Sequence, residues 1–409
     1  MTAQTVLIEA SPGEVRGALL RDGAVWDVVH HRDTAPSRIG AAYRGRVRRI
    51  EPGINGAFVD LGLDMDAFLR ARDAGRPGER SKRKARIGEI LHEGAAVTVR
   101  VVADAFAEKG PRVVRIDDPA EGDSGKVPSE LVSAAPPAAQ ILDRFTDERL
   151  VQVVCNDAEM ENQARAWVDE YRPGADIAVE RGRAGLFAER GVDEAVELAL
   201  SRRVRIAGGA ELVFDQAEAL CVVDINSAGA QGKSGRAARD TNLKAMPEIA
   251  RQLRLRNIAG AIVIDALKMG ARDDQKRVLD RLRGALRGDP GGCHVLGLTN
   301  LGLVEVTRTR IGPSLAERLQ DMPDEPAPSA EAVAYDALRA ALRAAAATPA
   351  GGYRLCVAPD VADLLDGRLA DAVTETGRRV GRLDIVRDPQ RVRTRFEVML
   401  GSGESPAKA

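Results

Sequence analysis

The sequence predicts a multidomain α/β protein in which mixed sheets are joined by a small β-barrel and a short C-terminal α/β domain. Three observations carry this reading. Two apolar runs, Ala219–Val223 and Ala261–Ile264, each end on an aspartate, Asp224 and Asp265, and are separated by a helix-length segment. That is the pattern of a βαβ unit. Between Arg38 and Arg115 the chain instead reads as short strands with closely spaced glycines, the pattern of a small barrel. Near the C-terminus, an alanine- and leucine-rich helix over Ala332–Ala346 follows a stretch rich in Pro, Asp, Glu and Ala.

Composition bounds the answer. A chain of 409 residues is long enough for two or three domains with real cores. Sixty Lys+Arg against 61 Asp+Glu leave a formal net charge of -1, so only local clusters can argue for a polyanionic partner. Aromatics are 3% of residues, so stacking platforms must be few and identifiable. No apolar run approaches a membrane span and the N-terminus lacks a basic-then-apolar leader pattern, so no membrane association and a cytoplasmic location are expected. Cys155, Cys221, Cys293 and Cys356 are scattered without a Cys-x-x-Cys, and His30, His31, His92 and His294 form no ligand-spaced set with them. No zinc site or disulfide framework is expected.

In chain order, Thr5–Glu9, Glu14–Leu20 and Val25–His30 read as antiparallel strands, the last two flanking the turn Arg21-Asp22-Gly23. In the barrel segment, Tyr43–Ile50, Gly56–Gly62, Asp66–Leu69, Ala96–Val102 and Arg112–Ile116 are the strand candidates. Phe58 and Phe68 lie there among many arginines, a composition suited to a single-strand-binding face. From spacing alone, filling the barrel core is the simpler role for both rings. Arg70–Arg86 is a basic, glycine-containing loop, readable equally as an extension of a phosphate track or as a solvated insertion. Asp117–Ala139 reads as linker or irregular structure. From Arg149 to Arg205, α/β alternation returns with Leu150–Cys155, Ala158–Glu170 and Asp176–Glu180.

The segment Ala219–Met269 is the candidate active centre. Strands of a βαβ unit run parallel, so Asp224 and Asp265 fall at one edge of a sheet, the carboxyl edge where ligands bind in open α/β sheets. Two carboxylates there suit Mg²⁺, which takes oxygen ligands, keeps waters, and is held by one or two carboxylates plus substrate phosphate. Asn226, two residues beyond Asp224, could orient a carboxylate or contact a phosphate. The alternative is that each aspartate merely caps the next helix. That helix shows one apolar face (Leu243, Met246, Ile249, Ala250, Leu253), a Pro247 that costs it a donor, and Arg251, Arg254 and Arg256 near its end, where cations suit the dipole and could reach phosphates. Beyond Asp265 a third helix–strand unit follows, with Val278, Leu279, Leu282 and Leu286 on the helix face and Cys293–Thr299 as the strand.

Two sets of blocks resemble the ribonuclease E and ribonuclease G family. In the barrel they are Gly45-Arg46-Val47, Pro52-Gly53, Gly56–Asp60 and Phe68-Leu69. Further on they are Val223–Ser227, Thr241–Leu243, Ile249–Arg256, Gly260–Asp265, Gly302–Arg308 and Pro313–Leu315. The resemblance implies an S1/OB barrel over 38–116 whose Phe58 and Phe68 are exposed stacking residues and whose Lys109 contacts phosphate. It implies a ribonuclease-H-like subdomain from 1–37 and 141–205, a DNase-I-like catalytic subdomain over 206–319, and a small C-terminal domain over 332–401. The intervening segments are a reduced sensor region or linker (117–140), a second linker (320–331) and a disordered tail (402–409). It also implies Mg²⁺, with Mn²⁺ as a substitute, on Asp224 and Asp265 with Asn226 assisting, and RNA contacts from Arg251, Arg254 and Arg256. The activity implied is endonucleolytic hydrolysis of single-stranded, AU-rich RNA to 5′-phosphate and 3′-hydroxyl ends.

Four departures qualify it. The family's Arg-Thr sensor of a 5′-monophosphate has no counterpart. An arginine that helps the family read a 5′-phosphate aligns with Pro290-Gly291-Gly292, which counts against 5′-end-dependent cleavage and leaves stimulation by a 5′-monophosphate open. The acid three residues after the second aspartate is Lys268 here, which keeps open the alternative of an RNA-binding relative that no longer cleaves. The cysteine-containing zinc-link is replaced by Gln320–Glu331, so self-association would need other contacts.

Overall fold

Apolar, β-branched runs build three strands at the start of the chain: β1 (Gln4–Ser11), β2 (Glu14–Arg21) and β3 (Ala24–Arg32). The computed structural model describes residues 3–75, 85–106, 109–117, 126–145, 149–227, 235–321, 327–349 and 351–401. Contacts divide these between two units: Met1–Thr34 with Ile141–Ala409, and Ala35–Gln140, which is therefore an insertion in the sequence of the first.

The inserted unit holds β4 (Ala42–Glu51), β5 (Gly56–Asp60), β6 (Ala67–Arg70), the short helix α1 (Ile87–Ile90), β7 (Ala96–Ala103), β8 (Arg112–Arg115) and β9 (Ser129–Val132). The sheet runs β5-β6-β8-β7-β4, and β4 pairs again with β5, so five strands close into an OB-like barrel with β9 added outside β4. Val47, Ala57, Val59, Ala67, Leu69, Val97, Val99, Val101 and Val113 point inward and are buried. The reading of Asp117–Ala139 as linker is revised for its described part. Ser129–Val132 pairs with β4, and Pro137–Phe145 forms α2. Pro137 opens that helix, because proline's fixed φ and missing N–H suit a first helical turn. Much of the basic loop, residues 107–108 and the chain's last residues lie outside the described residues.

In the first unit, β10 (Leu150–Cys155) pairs parallel with β1, and β11 (Ala178–Arg181) parallel with β10, giving the order β11-β10-β1-β2-β3. Helices α3 (Ala158–Tyr171), α4 (Leu186–Glu189) and α5 (Val192–Leu200) belong to this part. Asp157 caps α3, accepting hydrogen bonds from the backbone N–H of Glu159 and Met160.

A second sheet follows, from β12 (Arg203–Arg205), β13 (Glu211–Gln216), β14 (Leu220–Asn226), β15 (Gly260–Asp265), β16 (Cys293–Leu298) and β17 (Val304–Arg308), in the order β12-β13-β14-β15-β17-β16. Helices α6 (Gly235–Leu255) and α7 (Arg272–Ala285) pack on one face against Cys221, Val223, Ile225, Ile262, Ile264, Val304 and Val306. Only β14 and β15 are parallel in this sheet. The expected third unit departs from a repeat: β16 lies at the edge and pairs antiparallel with β17, which takes the place beside β15. The C-terminal part has a helix over Ala330–Ala347, two further helices, Pro359–Asp366 and Ala370–Val380, and a small sheet of Tyr353–Val357, Leu383–Arg387 and Glu397–Leu400. No described helix is long and apolar enough to cross a membrane.

Candidate active site and nucleic-acid interface

The parallel pairing of β14 and β15 sets Leu220 against Ala261 and runs in register to the last pair, Asp224 against Asp265. The two aspartates are therefore neighbours at the ends of adjacent strands. Cys221, Val223 and Ile225 turn into the core, and so do Ile262 and Ile264. Period-two alternation then places both aspartates, with Asn226, on the face opposite α6 and α7. Asp224 is half-buried, and Asp265 and Asn226 are exposed.

Neither aspartate has a hydrogen-bond or ion-pair partner among the described residues. The helix-capping alternative thus finds no support for Asp265, since α7 starts at Arg272, with Ala271 at its N-cap position. Lys268 is exposed and forms no ion pair with either carboxylate. Among the described residues no group of three or more His, Cys, Asp or Glu side chains converges as a metal cage. Two adjacent carboxylates without a competing cation still fit Mg²⁺, which commonly completes its shell with water and substrate oxygens. The loop after Ser227 lies outside the described residues.

One residue that sequence reasoning passed over holds this edge in place. Asn242 on α6 is fully buried. Its Nδ2 donates to the Leu267 carbonyl at 2.8 Å, and its Oδ1 accepts from the Leu267 N–H at 3.1 Å. This two-way amide clamp fixes the backbone two residues beyond Asp265. The available signal was an amide side chain in line with the apolar positions of the α6 face.

The three arginines at the end of α6, expected as RNA contacts, each have partners within the protein. Arg254 is 3% exposed, and its Nε donates to Asp27 at 3.1 Å. Arg256 is buried over the Phe214 ring at 4.2 Å and donates to Gln252 and to the Ser201 carbonyl. Burial, first among the causes, lowers its pKa to about 10. Arg251 is bound bidentately by Glu248 and donates to the Val25 carbonyl at 2.7 Å. Arg254 cannot turn to a phosphate without breaking its buried pair with Asp27, nor Arg256 without giving up buried hydrogen bonds.

In the barrel, Phe58 and Phe68 lie on the outer face. Their neighbours Ala57, Val59, Ala67 and Leu69 fill the core, so the core-filling alternative for the two rings is set aside. The rings are register partners across β5 and β6, with centroids 5.5 Å apart and planes tilted by 47°. Arg49 lies 4.8 Å over Phe58. Gly56 makes room for Phe68, because a Cβ there would come within 2.4 Å of its ring atoms. Lys109 is exposed, and its backbone exchanges two hydrogen bonds with Phe106.

Comparison with known proteins now bears on the site. Residues 78–311 match the Ribonuclease E/G family. The chain belongs to that family. It is 28% identical to Ribonuclease G of Escherichia coli K12 over an alignment of 490 positions covering 98% of this chain and all of the relative. The alignment exceeds the 409 residues of this chain, so the relative carries segments that this family member lacks. Ribonuclease G of Haemophilus influenzae is 28% identical over 78% of the chain and 82% of its own length. Ribonuclease E of E. coli K12 is 27% identical over 74% of the chain and 36% of its own length. Within the Pro290-Gly291-Gly292 departure, Gly291 has no space for a larger side chain, whereas a Cβ on Gly292 would meet nothing within 4 Å. A Cβ on Gly291 would lie 2.9 Å from the Thr309 carbonyl oxygen and 3.0 Å from the Arg308 side chain.

Proposed function

We propose that this ribonuclease E/G family member is an endoribonuclease in RNA processing or decay, cutting single-stranded RNA to 5′-phosphate and 3′-hydroxyl ends. The observation that carries this reading is the in-register pair Asp224–Asp265 at the ends of parallel neighbours, with no cation partner among the described residues. These two carboxylates would hold Mg²⁺ or Mn²⁺. The chemistry the ion supplies when bound is polarisation of the scissile phosphate and neutralisation of charge developing on its oxygens.

The chain's own groups do the rest. Asp224 and Asp265 concentrate negative charge at one point on an otherwise hydrogen-bonded sheet edge. The Asn226 amide, exposed beside them, can donate a hydrogen bond to a phosphate oxygen. Asn242 keeps the strand end from drifting. In the barrel, Phe58 and Phe68 stack bases, a sequence-tolerant contact, while Lys109 contacts phosphate as a compact charge. The hydrolysis adds water across the P–O3′ bond: its oxygen goes to phosphorus and a proton to the departing 3′ oxygen. With the Arg-Thr pair missing and Pro290-Gly291-Gly292 in place of the sensor arginine, cleavage is independent of the 5′ end.

The test is cleavage of a labelled single-stranded oligoribonucleotide by wild type and Asp265→Asn, each with Mg²⁺ and with EDTA. Cleavage by wild type in Mg²⁺ alone, lost in the variant, is expected. Cleavage surviving both EDTA and the substitution would overturn the metal assignment. RNA binding by wild type without any cleavage would show a binding relative instead. In parallel, 5′-monophosphate and 5′-hydroxyl substrates should be cut at similar rates.

A further inference from the structure

The barrel register extends the aromatic pair into a longer row. Arg49 on β4 partners Phe58 on β5, Phe58 partners Phe68 on β6, and Phe68 partners Arg112 on β8. Four successive strands thus present cation, ring, ring and cation on one outer face. The Phe68 N–H also donates to the Pro111 carbonyl at 2.7 Å, fixing the fourth member against the third. Arg70 stands two residues beyond Phe68 on the same face of β6, and its register partner on β5 is Gly56, which has no side chain to cover it.

The two ends of the row differ. Arg49 has Glu51 at 3.9 Å and the Phe58 ring beneath it. Arg70 and Arg112 have no ion-pair or hydrogen-bond partner among the described residues, although both are partly buried. Burial, and then the Arg112 and Arg72 guanidinium groups, depress the Arg70 pKa, and Asp73 offsets this only in part. Two neighbouring arginines with no acid in ion-pair contact, beside a stacking surface, make a poor arrangement for a free protein. They make a good one for an anion whose backbone charge follows each stacked base.

We propose that Arg70 and Arg112 form a phosphate clamp that grips the RNA backbone next to the base stacked on Phe68. This rests on the reading of the barrel as a single-stranded RNA face and adds to it two contacts on the β6–β8 side. An acidic protein segment would use the cations but leave the two rings without a role, so a single nucleic-acid strand is the ligand the row favours.

The experiment is fluorescence anisotropy of a labelled single-stranded oligoribonucleotide with the full chain, titrated over a series of salt concentrations. For single strands each phosphate contact contributes roughly 0.7 to the slope of log K against log salt. Arg70→Gln and Arg112→Gln should each make the slope shallower by roughly that amount, and the double variant by roughly 1.4. Arg70→Lys with Arg112→Lys should restore most of the slope, which a merely structural role would not predict. Phe68→Ala should weaken binding at every salt concentration while leaving the slope unchanged. An unaltered slope and affinity in the Gln double variant, with Phe68→Ala still weakening binding, would overturn the clamp and leave the RNA face standing. Absence of RNA binding by wild type would overturn both. An oligoglutamate of equal charge bound as tightly as the RNA would overturn the choice of ligand.

Discussion

At the scale of single residues, the difference between a cation that binds and one that braces is decided by its partner. Arg254 meets Asp27, which is fully buried and also lies 3.3 Å from Arg144. Arg254→Ala leaves that carboxylate half-compensated in the interior and should cost about 3 kcal/mol in urea unfolding. At temperatures where the variant is folded, its RNA affinity should match wild type. The partner was illegible in the sequence, because Asp27 lies 227 positions from Arg254 and only the tertiary fold brings them together. His31 makes a second case. Burial, then Arg318 and Arg144, hold its pKa at about 4 against an ordinary 6.5. Between those two values the unfolded chain binds a proton that the native chain refuses, so stability rises with pH there. The thermal midpoint should therefore fall as the pH is lowered from 6.5 toward 4, and His31→Gln should flatten that dependence.

At the scale of elements, alternation in short strands was the most readable signal. The β-branched runs before Asp224 and Asp265 announced two parallel neighbours, and their pairing puts the aspartates side by side. In the barrel the same alternation could not say which face was inward for Phe58 and Phe68. Burial of Ala57, Val59, Ala67 and Leu69 decides it. The antiparallel return of β17 between β15 and β16 left no local mark, because strand order is set by which edge the chain reaches rather than by any one strand's composition. Gly56 offers a test at this scale. Gly56→Ala places a methyl within 2.4 Å of the Phe68 ring, whose far edge can swing aside. The barrel should stay folded by circular dichroism, while affinity for single-stranded RNA falls by about tenfold or less, a loss within the roughly 1–3 kcal/mol that base–aromatic stacking contributes.

At the scale of the whole molecule, each of the two units has a core of its own. Closure of five strands gives the insertion a buried interior and leaves none of the five as a free edge. A fragment spanning 35–140 should therefore unfold cooperatively in urea, with the fluorescence and circular dichroism transitions coinciding. In the other unit, Glu14 on β2 is bound by Arg32 on β3 and by Arg339 from the Ala330–Ala347 helix, a buried link between distant parts of the sequence. The parallel pairing of β1 with β10 across the insertion also has a consequence for synthesis. A ribosome releases β1, β2 and β3 first, and their sheet must wait for the entire barrel before β10 emerges to complete it. A barrel that folds meanwhile turns a long flexible loop into a short one with fixed ends, and so lowers the entropy lost when β10 docks. The order in which the chain is made thus favours assembling the inserted barrel before the sheet whose sequence it interrupts.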